Sequence, residues 1–182
     1  MRTDRWEIDS SHSSVHFSVR HLVIAKVRGT FTRWSGTVQV PDNDFSQATV
    51  DVTIDASSID TGVGDRDAHL KSPDFFDVAQ FPELRFVGKR VQRHAGVEID
   101  VIGDLTIKGI TREVALRVEQ HGQTKDPWGN VRAAFTVKTA IDRKDFGLTW
   151  NQALETGGVV VGDRVEIEAE IQAVKQAEAQ VA

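Results

Sequence analysis

The chain of 182 residues contains no cysteine and no long apolar run. The lack of cysteine excludes a disulfide framework, a thiolate metal site and a cysteine nucleophile. No segment approaches the roughly 18 consecutive apolar residues that a membrane-spanning helix needs. The N-terminal segment also lacks the apolar core of a signal peptide, so we expect a cytoplasmic protein.

An excess of positive charge is missing as well. The formal net charge is −5 and lysine and arginine are not concentrated in any segment, which argues against nucleic acid as a partner. The sequence contains no Gly-x-Ser-x-Gly elbow, no phosphate-binding P-loop and no Gly-x-Gly-x-x-Gly fingerprint. We therefore expect no cofactor and no catalytic residues.

The six histidines do not form a metal-binding motif, since there is no His-Glu-x-x-His and no His-x-His pair. On one strand His12 and His16 would share a face but lie roughly 13 Å apart. That separation is too large for one ion with bonds of about 2.1 Å. We expect no metal site.

What the sequence does contain is a repeated alternation of apolar and polar residues. Valine, isoleucine and phenylalanine dominate the apolar positions, and this period of two is typical of β-strands. The alternating apolar positions are Val15, Phe17 and Val19; Val50, Val52 and Ile54; Val97, Ile99, Val101, Leu105 and Ile107; Val114, Leu116 and Val118; Val131, Ala133, Phe135 and Val137; and Val165, Ile167, Ala169 and Ile171.

Together with shorter segments, this pattern predicts about eight or nine strands separated by turn residues. Sequential long strands favour an up-and-down meander, and closing it into a barrel removes exposed edges. No linker divides the chain, so we predict one all-β domain over residues 1–182, with a frayed tail from about residue 174. Helices are predicted only over 65–71 and, as a short turn, over 22–26.

Residues 65–86, DRDAHLKSPDFFDVAQFPELRF, break the alternation. Arg66, Asp67 and His69 lie within four residues, followed by four phenylalanines. One interpretation is a polar cluster at the opening of a cavity, or an acid/base site, with the phenylalanines closing or lining one end of a barrel. The other is structural: an Arg–Asp pair and a histidine that tie a connecting helix to the barrel.

The apolar strand faces also have two interpretations: a packed core, or the wall of a cavity for a long apolar ligand. The pattern by itself favours the packed core, because every barrel has such faces. The paired carboxylates Asp142 and Asp145 flank two basic residues, which would keep them ionised and makes a general acid there a weak candidate.

The order of several motifs is more specific than any one of them. DSSHSSVHFSVRHL is followed by KVRGTF, SSIDTGVGDRDAHLKSPDFFDV, FPELRF, GDLTIKGITREV, IDRKDFGLTW and VGDRVEIEAEIQA. This succession, from about Trp6 to Ala173, closely resembles the YceI family of lipocalin-like, polyisoprenoid-binding proteins. The Arg-Asp-x-His-Leu and Leu-Thr-Ile-Lys-Gly-Ile-Thr blocks carry most of its specificity.

The resemblance implies an eight-stranded antiparallel lipocalin-like barrel that encloses a hydrophobic tunnel. It implies a carrier, store or sequestering protein for a polyisoprenoid, such as a polyprenyl quinone, or for another long-chain amphiphile, without covalent chemistry. Members of the family are often dimers, so a homodimer is also expected. With this resemblance the cavity interpretation outranks the packed core.

We therefore predict two sets of ligand-binding residues. The apolar tunnel would be lined by Phe17, Val19, Phe31, Val52, Ile54, Phe75, Phe76, Phe81, Phe86, Val101, Leu105, Ile107, Phe135, Val137, Phe146 and Trp150. The polar head of the ligand would be met by His21, Arg66, His69 and Arg143, chosen by charge and placement. Two alternatives stay open: a lipid-modifying enzyme with His69 or His21 as general base, and an interaction or stress-response protein with a filled barrel.

Overall fold

The computed structural model describes residues 1–155 and 158–178. Within them the chain forms eleven β-strands in one antiparallel sheet. The strands are β1 (Thr3–Ile8), β2 (Ser14–His21), β3 (Ala25–Phe31), β4 (Trp34–Pro41), β5 (Thr49–Asp55), β6 (Ile59–Asp60), β7 (Glu83–Ala95), β8 (Glu98–Ile107), β9 (Ile110–Lys125), β10 (Val131–Asp142) and β11 (Val161–Lys175).

The sheet closes into the predicted eight-stranded barrel. The eleven strands count as eight because β1 with β2, β3 with β4, and β5 with β6 each form a single interrupted strand of the barrel. β11 pairs with β2 along its first part and with β1 along its last part. On the other side of this interrupted strand, β3 pairs with β2 and β4 pairs with β1. In the next position, β5 pairs with β4 and β6 pairs with β3. From β7 to β11 each strand pairs with the next in sequence.

Short 3-10 turns interrupt or end strands where an aspartate precedes them. They span Ser10–His12, Phe45–Gln47, Ala56–Ser58 and Arg143–Phe146. In each, the aspartate carboxylate accepts a hydrogen bond from the backbone N–H two residues later, which withdraws the backbone from the strand ladder. The capping residues are Asp9, Asp44, Asp55 and Asp142.

The connections define two ends of the barrel. The helix end carries α1 (Gly64–Lys71), the β2–β3 turn, the β8–β9 turn and the segment between β10 and β11. The far end carries both described chain ends, the β4–β5 connection and the β7–β8 and β9–β10 turns. One cluster of buried apolar side chains lies at each end and a third between them.

The helix predicted over 65–71 is confirmed as α1, which begins one residue earlier, at Gly64. Other expectations need correction. The short turn predicted over 22–26 is present over 22–24, but it is not helical, and β3 already begins at Ala25. Val97 lies in the β7–β8 turn and is exposed instead of facing the interior.

The first residues of the segment predicted to fray are paired with neighbouring strands. Val174 and Lys175 belong to β11, where Val174 pairs with Glu7 and Arg132, and the Gln176 N–H donates to the Arg5 carbonyl. The backbone partners of β1 therefore order this segment. Residues 179–182 of the predicted tail lie outside the described residues.

At the far end Arg132 of β10 joins the preceding β9–β10 turn to the segment that follows β1. Arg132 Nη1 lies 2.9 Å from Asp9 Oδ2, and Arg132 Nε lies 2.9 Å from Asp126 Oδ2. Hydrogen bonds from this guanidinium are the largest cause that lowers the pKa of Asp126 from 3.8 to about 2 and the pKa of Asp9 well below its usual range. The folded protein therefore favours the ionised forms of both carboxylates.

These lowered pKa values predict how stability depends on pH. A carboxylate whose folded pKa lies below its unfolded value stabilises the fold above about pH 4 and loses that contribution as the pH falls towards 2. Arg132→Gln should therefore lower the melting temperature at pH 7, and the gap to the wild type should shrink between pH 5 and pH 2. Thermal unfolding followed by circular dichroism measures this gap.

Arg93→Gln, at an exposed arginine without an ion pair among the described residues, is the matched control. A gap that stays constant or widens towards pH 2 contradicts the assignment.

Candidate ligand-binding cavity

The barrel is hollow. A cavity of about 430 Å³ runs inside it and is lined by inward-facing side chains of β1–β5 and β7–β11, by α1 and by the segments next to them. An engineered apolar cavity of about 150 Å³ already binds a small aromatic molecule. The volume observed here lies in the range of ligand-binding pockets, roughly 300–1,000 Å³.

The burial pattern shows the same hollow interior. In a filled barrel the inward side chains are buried and the outward ones are exposed. Here inward residues such as Val52, Val137 and Ile167 are only half-buried, although they point away from the outer surface. Their remaining accessible surface faces the cavity, so the interior side chains do not fill the space between opposite walls.

Glycines let two aromatic rings lie against the wall. A Cβ atom on Gly29 would collide with the ring of Phe17, and one on Gly103 would lie 2.8 Å from Phe86 Cζ. Each ring therefore occupies the space above a glycine on a neighbouring strand, an arrangement also used to stabilise curved sheets. This placement keeps two large side chains on the wall and leaves the centre of the barrel open.

The structure places most of the predicted tunnel residues in the cavity wall. They are Phe17, Val19, Phe31, Val52, Ile54, Phe75, Phe76, Phe86, Val101, Leu105, Ile107, Phe135, Val137 and Trp150. Their position is a geometric finding, and their contact with a ligand stays a prediction.

Phe81 and Phe146 do not line the cavity. The ring of Phe81 packs on Gly109 in the β8–β9 turn, where a Cβ atom would lie 2.7 Å from it. Phe146 is 1% exposed and fills the apolar cluster at the helix end together with Leu148 and Ile107. Sequence could not separate these rings from the cavity residues, because neither lies in a strand whose alternation assigns a face.

The sequence-based prediction also omitted part of the wall. The omitted residues continue the same alternating faces or lie at the far end, and they include Val15, Val27, Val38, Phe45, Ala48, Val91, Leu116, Val118, Val165, Ile167, Ala169, Ile171 and Ala173. The alternation along the strands could have identified most of them, since every inward-facing strand position of a closed barrel is a candidate wall residue.

All four predicted polar residues lie at the helix end of the cavity, but they are not equivalent. Arg66 Nε donates to Thr61 Oγ1 at 2.7 Å and Arg66 Nη2 donates to the Thr61 carbonyl at 2.8 Å. Asp67 Oδ1 accepts from the Thr61 backbone N–H at 2.9 Å and from its hydroxyl. Arg66 and Asp67 therefore do not bond to each other. Each bonds to Thr61 and so ties α1 to the end of β6, which agrees with the structural interpretation of these residues.

His69 sits among aromatic side chains at the opening. Its Nε2 lies 2.9 Å from Asp74 Oδ2, and its ring meets the rings of Phe75 and Trp150 edge-on at centroid distances of 5.1 and 4.7 Å. The side chain is 39% exposed. His69 therefore presents a polar ring to both the cavity and the solvent.

Arg143 is committed to the backbone around it. Its side chain is 3% exposed, Nε donates to the Gly162 carbonyl at 2.8 Å, and Nη1 donates to the carbonyls of Leu148 and Trp150. Nη2 donates to the Val161 carbonyl at 3.3 Å. Burial lowers the pKa of this guanidinium, and Asp163 opposes that shift. With most of its five N–H groups engaged, Arg143 holds the segment between β10 and β11 in place and has little capacity left for a ligand.

Within residues 1–155 and 158–178, no group of three histidine, aspartate or glutamate side chains is arranged to hold a metal ion. No helix in the same residues has the length and apolar character needed to cross a membrane.

An all-β, eight-stranded antiparallel barrel with one short helix and an apolar interior cavity is the class of protein that these observations define. The YceI-like domain family matches residues 6–173, so the chain belongs to this family. A UPF0312 protein of Staphylococcus aureus strain MSSA476 is 43% identical over 162 residues, which cover 88% of this chain and 92% of that protein.

Solved structures show the same fold. BcnA of Burkholderia cenocepacia superposes with a TM-score of 0.79 at 24% identity, covering 91% of this chain and 98% of its own. The YCEI protein of Campylobacter jejuni gives a TM-score of 0.72 at 26% identity, covering 87% and 90%. A polyisoprenoid binding domain from Saccharophagus degradans gives 0.69 at 14% identity, covering 94% and 98%.

Proposed function

We propose that the protein binds a polyisoprenoid or another long-chain amphiphile in the barrel and carries, stores or sequesters it without covalent chemistry. The observation that carries this proposal is the apolar cavity that the inward side chains leave unfilled. The solved polyisoprenoid binding domain with the same fold supports this ligand class.

The energetics favour a chain-like ligand. Each methylene group transferred from water into the apolar interior contributes up to about 0.8 kcal/mol. Loss of ligand and side-chain freedom reduces that gain. A long chain is thus held mainly by its length, with few polar contacts.

The polar head of the ligand is proposed to lie at the helix end, where His21 and His69 line the cavity. Arg66 lies beside them, although part of its guanidinium is bound to Thr61. Arg143 is the weakest of the four predicted head-group residues, because its donors serve backbone carbonyls.

A lipid-modifying enzyme is the second candidate, favoured by the His69–Asp74 contact at the cavity, since a carboxylate can orient a histidine base. The two proposals differ in turnover: a carrier returns its ligand unchanged. A filled barrel conflicts with the observed cavity. A cytoplasmic location and a homodimer stay predictions.

The test is native mass spectrometry of the purified protein, followed by organic extraction and identification of the released molecule. We expect about one prenyl or long acyl species per chain, returned unchanged, or uptake of an added polyprenyl quinone by empty protein. His21→Ala and His69→Ala should change the preference between quinone and alcohol head groups on one prenyl chain. A protein that is purified empty and refuses the added quinone would overturn the proposal.

A further inference from the structure

The β2–β3 turn exposes three consecutive apolar side chains. Leu22, Val23 and Ile24 are 45%, 52% and 88% exposed. Single exposed apolar residues are ordinary, but a contiguous group often marks an interaction site. This turn lies at the helix end of the barrel, where the polar residues of the cavity are found.

The backbone of this turn is unusual for the residues it carries. Leu22 and Val23 have φ angles of 54° and 70°. Glycine, asparagine and aspartate are the usual residues with positive φ angles in a β-hairpin turn, and a β-branched residue with such an angle is an outlier. A conformation of this kind is strained and is typical of functional sites. The chain therefore presents bulky apolar groups where local stability favours small polar ones.

The exposed turn continues into the edge of the cavity. The Leu22 N–H donates to the Val160 carbonyl at 2.8 Å, and Val23 packs next to Gly158. Val159, between these two residues, is 42% exposed. We name Leu22, Val23, Ile24 and Val159 the apolar rim. His21 and Val160, the neighbours of the rim in sequence, line the cavity.

Basic residues flank the apolar rim. The sequence has no aspartate or glutamate between Asp9 and Asp42, although the whole chain carries a net charge of −5. In the β2–β3 hairpin Arg20 lies opposite Lys26; both residues are exposed, and Arg20 also borders the cavity. Lys26 lies 3.7 Å from Glu166, whereas Arg20 and Arg28 form no ion pair within residues 1–155 and 158–178. A local positive charge next to apolar groups complements an anionic lipid surface.

We propose that the apolar rim docks this end of the barrel onto an anionic lipid bilayer. The rim side chains enter the interface, Arg20 and Arg28 meet lipid phosphates, and the cavity edge then faces the bilayer. An amphiphile can pass between membrane and barrel without crossing water. The transfer of an amphiphile rests on the proposed function. Docking of the apolar rim on vesicles can be measured with protein that carries no ligand.

The test is co-sedimentation of ligand-free protein with vesicles of phosphatidylcholine alone or with about 30% phosphatidylglycerol, an anionic lipid that gives the vesicle surface a negative potential. The expected result is binding to the anionic vesicles that weakens as salt is raised. Replacing Leu22, Val23 and Ile24 together by serine should lower the bound fraction at least tenfold, and Arg20→Gln with Arg28→Gln should remove most of the salt dependence. Trp128→Ser is the matched control, because Trp128 is 81% exposed in the β9–β10 turn at the far end.

The proposal is overturned by any of these outcomes: no binding by the wild type, equal binding by the triple serine variant, or an equal loss in the Trp128 variant. A wild-type dimer that the serine substitutions convert to a monomer, without vesicle binding, assigns the rim to a second copy of the chain and also overturns it. Native mass spectrometry of the serine variant separates the two proposals. If the serine variant retains its lipid but no longer binds vesicles, the result supports docking by the rim. If the wild type is purified empty but still binds vesicles, the result counts only against the proposed lipid ligand.

Discussion

Replacing Val52 and Val137 together by tryptophan is expected to lower the lipid recovered per chain at least tenfold. β5 and β10 are four strands apart in the ring of eight, so these two positions face each other across the barrel. Both pack against the middle cluster of Phe86, Val101 and Val118. Two indole rings entering from opposite walls would obstruct the cavity between its two ends.

The substitutions should leave the fold intact. Overpacking a filled core typically costs about 1–3 kcal/mol per site because neighbours must move. Here the added rings enter existing empty space, so we expect the smaller end of that range. Extraction followed by mass spectrometry measures the lipid, and urea unfolding measures the stability.

The matched control moves each tryptophan by one position along the same strand. Thr53→Trp with Lys138→Trp places the two rings on the outer face, because successive side chains of a strand point to opposite faces. This variant should retain the wild-type amount of lipid. A Val52/Val137 variant that is folded and still carries one lipid per chain would show that the ligand binds elsewhere.

The second large effect is expected at Arg143. Arg143→Met keeps an apolar stem of similar length but removes every donor, which leaves the carbonyls of Leu148, Trp150 and Gly162 without their partner. Each buried polar group left unsatisfied costs about 1–3 kcal/mol. We therefore expect the free energy of unfolding, measured with urea, to fall by about 3 kcal/mol or more.

Two further variants distinguish this role from a general effect of lost charge. Arg143→Lys keeps the charge but cannot reproduce the planar fork, so an intermediate loss is expected. Arg164→Met removes an arginine that is 73% exposed and lies 3.7 Å from Glu166. Such a surface change should stay within about 0.5 kcal/mol. Equal losses in Arg143→Met and Arg164→Met would contradict the role assigned to Arg143.

Alternation along the strands was sufficient to predict the barrel wall. Val52 and Ile54, or Phe135 and Val137, face inward because a strand turns successive side chains to opposite faces, and this rule needs no tertiary information. The strand interruptions were less accessible, since Asp9 and Asp55 divide strands by local hydrogen bonds that the hydrophobic pattern does not show.

Residues outside the strands were predicted least well. Phe81 and Phe146 were grouped with the tunnel residues, yet one packs on Gly109 and the other fills a core cluster. Arg143 was assigned to the ligand head because of its charge. Its actual partners are backbone carbonyls of a segment without periodicity, and composition cannot indicate which carbonyls a buried guanidinium will reach.

The sequence by itself determined that this chain builds a closed β-barrel, which residues within the strands face its interior and, through its ordered motifs, the family to which it belongs. Only the tertiary structure decided that the interior is hollow, that Arg66 and Asp67 meet at Thr61, and that the apolar rim adjoins the cavity. The physical reason is that periodicity reports the direction of each side chain relative to its own strand. The space left between opposite walls depends on ring orientations and contacts between residues distant in sequence.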